Sequence, residues 1–182
     1  MDSELLIAPL EVQHMMTSAH EYVSKDTGFD VDGTSDTLPA VDVYLAQVPA
    51  RPELRALVAA AVGCYFGEIL RAEFGGTWHL ETQEPERWRL ELAVLPLSLY
   101  PVGVAYQAMA RGQDTDRYDD LLHVGEAQQA LLREVLGRIR VTEDEYYGLC
   151  GRYDTLEHVV DVLVAARKPP EAEEPSDEEE PA

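Results

Sequence analysis

One stretch, residues 51–74, constrains this chain more than any other. Pro52 suits a first helical turn, and Leu54, Leu57, Val58, Ala61, Val62, Tyr65, Ile69 and Leu70 recur at the helical period. Gly63 and Gly67 stand one turn apart inside it, each about 1 kcal/mol worse for a helix than alanine. A helix tolerates that loss where a second backbone or a large ring packs closely against it, so the spacing predicts a central, buried helix. Gly75 and Gly76 then end it.

Past these glycines the period drops to two. Trp78 and Leu80 alternate with His79 and Glu81, and Trp88, Leu90, Leu92 and Val94 alternate with Arg89 and Glu91. An antiparallel pair of strands follows, joined through 82–87 and closed by Pro96. Helical spacing also marks 9–25, a short piece at 41–48, a segment from Val102 to Met109 stopped by Arg111-Gly112, and 126–139. The segment 26–37 reads as a loop, and 118–124 as a short element of open type. Thr142 with Glu145, and Asp154 with Glu157, each match a capping box and predict final helices at 143–150 and 155–167.

Lys168-Pro169-Pro170 and the acids beyond them cannot extend a helix or bury apolar surface, which predicts a disordered acidic tail over 168–182. The expected architecture is α+β. It is a mostly helical single domain, residues 1–167, with a central helix and a small antiparallel β-hairpin. The hairpin is expected on one side of that helix and the C-terminal helices on the other.

Charge narrows the function classes. The 35 acidic and 14 basic residues give a formal net charge of -21. Residues 171–182 hold seven of the acids and no base, so the remainder still carries -21 + 7 = -14. Such a surface repels phosphate backbones, and no nucleic-acid partner is expected. Met1-Asp2-Ser3-Glu4 lacks the basic start of a signal peptide, and there is no run of eighteen apolar residues, so no membrane association and a cytoplasmic location are expected. Cys64 and Cys150 form no C-x-x-C pair, and neither a zinc site, a disulfide framework nor any other cofactor is indicated.

The string Asp30-Val31-Asp32-Gly33-Thr34 resembles the D-x-D-G-T signature of haloacid-dehalogenase-type phosphatases. In that family the first aspartate is the nucleophile, the second handles the leaving-group proton, and magnesium sits between carboxylates and phosphate. There the motif closes a hydrophobic parallel strand, whereas here it follows Ser24-Lys25-Asp26-Thr27-Gly28, so an ordinary loop is expected. A calcium loop fails on spacing, because Gly33 holds the fourth place rather than the sixth and no glutamate holds the twelfth. His79 should alternate to the face opposite Trp78 and Leu80, near Glu81. Glu68 is a carboxylate within the run Tyr65-Phe66-Gly67-Glu68-Ile69-Leu70 and needs a partner to offset desolvation, with Arg71, Arg87 and Arg89 as candidates. A structural ion pair is favoured over a catalytic acid.

Tyr65, Gly67 and Glu68, followed by Gly75, Gly76 and Trp78, resemble a family of uncharacterised bacterial domains. In it a Tyr-x-Gly-Glu helix runs into Gly-Gly-x-Trp and a hairpin. The likeness spans about residues 54–112, with Pro96 or Pro101 and Gly112 matching the family's later proline and glycine. It implies a fold and carries no catalytic residues. Tyr65, Glu68, Trp78 and His79 are the candidate functional or structural positions. The expected function is that of a non-enzymatic cytoplasmic interaction or regulatory accessory protein (adaptor, chaperone-like factor or inhibitor) whose acidic surface meets a protein with a basic patch. One alternative is a small carboxylate- or metal-dependent hydrolase or ligand-binding enzyme using Glu68, His79 and the 30–36 loop. Another is a structural subunit of a larger assembly.

Overall fold

In the computed structural model, which describes residues 7–111, 123–140 and 142–166, the long helix is present as α3 (Pro52–Phe74). Its residues from Val58 to Gly67 are buried without a break, so the helix is enclosed on all sides through its middle. The main neighbours are α1 (Leu10–Thr27) and α4 (Pro101–Ala110). A Cβ on Gly63 would overlap the backbone of Val102 in α4, and one on Gly67 would overlap the Trp78 ring. The two glycines therefore mark two separate close approaches, one by a backbone and one by an indole. Gly75 leaves the helix at φ +65°, a conformation that L side chains resist.

Four antiparallel strands follow the order β1-β2-β3-β4, namely β1 (Gly76–His79), β2 (Arg89–Leu92), β3 (Leu97–Leu99) and β4 (His123–Val124). Trp78 lies opposite Leu90, and Leu90 opposite Leu99, so one face of the sheet is apolar. The expected hairpin is thus the first half of a larger sheet. Three residues in β3 and two in β4 are too few to establish a period of two in sequence. Of 118–124, only the last two residues lie within the described part.

The C-terminal region corrects the sequence reading. Thr142 and Glu145 do form a capping box at α6 (Glu143–Tyr147), the Glu145 amide donating to Thr142 Oγ1 and the Thr142 amide to Glu145 Oε2. Asp154 and Glu157 do not, because both lie exposed inside α7 (Leu149–Ala165). The break falls at Gly148, and the first amides of α7 are satisfied from outside the helix. Asp42 of α2 (Leu38–Gln47) accepts from Leu149 N at 2.7 Å and from Cys150 N at 3.1 Å. A carboxylate against these otherwise unpaired amides also suits the helix dipole. A rule that reads neighbours in sequence cannot see a cap from 107 residues away.

Nor do the C-terminal helices back onto α3 as expected. Here α7 packs on α2, α4 and α5 (Glu126–Arg138), and it meets α3 at the far end, where the Tyr153 and Phe74 rings lie 6.3 Å apart. Arg111 itself takes the left-handed conformation that caps α4, with φ 47°. Gly112 and the 168–182 tail lie outside the described residues. Among the described residues no helix is long and apolar enough to cross a membrane.

Two substitutions test this frame in urea melts. Gly63→Ala should lower stability by on the order of 3 kcal/mol, because the new methyl displaces the α4 backbone. Asp42→Ala should lower it by about 1–3 kcal/mol through loss of the remote cap. A Gly63→Ala protein as stable as the parent would disprove the close α3–α4 approach.

Candidate functional site

The four candidate residues divide among three jobs. Glu68 is held in a fork by Arg71, whose Nε donates to Oε1 and Nη2 to Oε2, each at 2.8 Å. The Trp78 indole N–H donates to the same Oε1 at 2.7 Å. With its side chain 10% exposed and both oxygens occupied, Glu68 acts as a structural anchor between α3 and β1. Hydrogen bonding to Glu68 in turn raises the Arg71 pKa. Of the other two arginines proposed as partners, Arg87 pairs with Glu84 and Arg89 with Glu91.

His79 turns away from Trp78, as alternation requires, but its partner lies across the sheet rather than along the strand. Its Nε2 lies 3.1 Å from Glu91 Oε2, in place of the expected neighbour Glu81. β1 and β2 are antiparallel and set Arg89 directly opposite His79, which brings Glu91 of the same outer face within reach. Glu68 and His79 therefore serve different sides of the sheet.

Tyr65 points into the segment before α2. Its hydroxyl accepts from Gly33 N at 2.9 Å and lies 2.6 Å from Thr37 Oγ1. Thr37 Oγ1 donates to Thr34 O, which leaves Tyr65 as donor to Thr37 and makes a four-member relay from the Gly33 amide to the Thr34 carbonyl. Burial pushes the Tyr65 phenol above its usual pKa. Val31 is buried, and Asp32 Oδ1 accepts from the amide and hydroxyl of Thr34, which lowers the Asp32 pKa. The phosphatase-like string thus lies on a pinned loop after a helix, as its sequence context predicts, with Asp32 turned onto its own backbone.

What this loop presents is a ring among acids. Phe29 is 64% exposed, and Asp26, Asp30, Asp32 and Asp36 around it in sequence are exposed too. Asp30 makes an outer contact with His20 at 3.0 Å. Over residues 7–50 the acids are Glu11, Glu21, Asp26, Asp30, Asp32, Asp36 and Asp42, against the single base Lys25. Sequence reading caught the aspartates but not Phe29, whose exposure depends on the neighbouring Val31 taking the core position.

Among the described residues no group of three or more His, Cys, Asp or Glu side chains is placed to hold a metal ion. Both thiols are suppressed, chiefly by burial, with the Cys64 and Cys150 pKa values each pushed up to about 12. No family model, curated protein or solved structure matches this chain.

Tyr65→Phe should lower stability by about 1–2 kcal/mol and speed hydrogen exchange at the Gly33 amide. Trp78→Phe should cost about 1–3 kcal/mol while leaving that amide's local protection intact. Thiol labelling at pH 8 should run at least about a hundredfold slower in the folded chain than in denaturant, because the folded thiols hold their protons. Equal rates would contradict the buried placement of Cys64 and the half-buried placement of Cys150.

Proposed function

We propose that this chain is a non-enzymatic, cytoplasmic interaction or regulatory accessory protein that docks on a basic protein surface through the 28–36 loop. The observation that carries the reading is the exposed Phe29 ring, with Asp30, Asp32 and Asp36 on the same loop and Asp26 in the last turn of α1 before it, the loop being tied to the core through Val31 and Tyr65. An aromatic ring supplies a desolvating anchor, and the surrounding carboxylates steer and select a cationic partner. Because the loop is already pinned, little ordering entropy is lost on docking. The same charge disfavours nucleic acid. The likeness of residues 54–112 to the bacterial domain family forms part of this proposal.

The first test is capture from a lysate of the native host at low and high salt, with the partner then purified and titrated against the full chain. A basic partner lost at high salt is expected, with Phe29→Ala weakening it at least tenfold. Neutralising Asp26, Asp30 and Asp36 to asparagine should flatten the salt dependence. Binding that ignores both salt and Phe29 would refute the docking mode, and so would recovery of no partner at either salt. Assembly into a discrete high oligomer would instead favour the structural-subunit alternative.

A further inference from the structure

A second feature lies away from the Phe29 loop. α2, α4, α6 and α7, with the end of α5, enclose a half-open cleft of about 590 Å³ to which none of residues 28–36 contributes. That volume lies within the usual range for a small-molecule site. Leu45 and Ile139 give it an apolar wall.

Several of its charged groups already have internal work. Asp42 caps α7, and Glu145 closes the capping box with Thr142. Other polar groups remain available to a ligand. Arg140 and Asp154 are exposed at the cleft, and His158 stands one helical turn beyond Asp154. Thr155, at 6% exposure one of the few buried polar residues, also lines the cleft.

We propose that this cleft binds a small zwitterionic amino compound, between an α-amino acid and a tripeptide in size. Its carboxylate meets Arg140, its ammonium meets Asp154, and the Thr155 hydroxyl completes the polar contacts. The protein's own charge selects this class. At a formal net charge of -21 the molecule repels a free anion at long range, while a simple cation finds carboxylates over much of the surface and gains nothing from Arg140. A ligand of zero net charge meets no long-range penalty and is recognised where both signs stand together. Arginine suits the carboxylate end through its planar two-donor fork.

The test is calorimetric titration of the full chain with a panel of free amino acids, dipeptides and tripeptides, and with N-acetylated and C-amidated forms of the best binder. Saturable one-to-one binding by at least one free-ended member is expected, with a loss of at least tenfold on blocking either end. Arg140→Gln should abolish discrimination against the amidated form and Asp154→Asn discrimination against the acetylated form. Both positions are exposed, and melting curves will confirm that the variants fold. The proposal is overturned if no member of the panel binds, or if end-blocking discrimination survives in both variants. These outcomes are independent of whether the Phe29 loop binds a protein.

Discussion

Everything else in this molecule is arranged around how closely its central helix can be approached. Without side chains at Gly63 and Gly67, α3 accepts the α4 backbone on one turn and the Trp78 indole on the next. Those two contacts set where the sheet starts and where the chain returns after it. The Trp78 ring seated on Gly67 has its N–H in position for Glu68, the next residue of the helix. Arg71 then neutralises that carboxylate from one turn further along. A glutamate at 10% exposure would be strongly destabilising alone, and here it becomes the polar rivet between helix and strand.

Two longer polar ties extend this frame outward, and both end on backbone amides. Tyr65, on α3, holds the Gly33 amide and so sets the path of the loop before α2. Asp42, on α2, holds the Leu149 and Cys150 amides and so sets where α7 begins. A buried or half-buried amide must find an acceptor, and neither local segment supplies one. The position of the C-terminal helix thus follows from α2, whose own entry follows from α3. This chain of dependence runs through side chains that composition alone would class as ordinary.

Periodicity made the large elements legible. The α1, α3, α4 and α5 helices and the β1–β2 pair follow from spacing, and the Gly63–Gly67 interval correctly announced a close approach. Arg71 as the Glu68 partner was also within reach, being one turn away on the same helix. What escaped were features settled by distant neighbours. Strands of two or three residues carry no period; β3 forms because β2 offers an edge, and β4 because β3 offers the next. The false second capping box at Asp154 is chemically sound, and it fails because Asp42 had already capped the helix further upstream. His79 finds Glu91 rather than Glu81 because cross-strand register decides the nearest carboxylate. Phe29 carries no signal of its own in the sequence, and it stands exposed while Val31, two residues on, occupies the core.

The distribution of charge links the two proposed surfaces. Acids that are engaged internally each hold specific donors: Glu68 holds a guanidinium and an indole, Asp42 two helix amides, and Asp32 a turn. Those assignments account for few of the 35 acids. The remainder add self-repulsion that works against compaction, so they contribute solubility and steering rather than stability. Where such a field is uniform it attracts any cation weakly and distinguishes none. Discrimination requires a local departure from it, and the described residues offer two kinds. Around Phe29 the departure is an exposed apolar ring, which adds a short-range term that only a complementary recess satisfies. In the cleft it is Arg140 and Asp154, exposed in one lining that also holds Thr155, which favours a ligand carrying both charges.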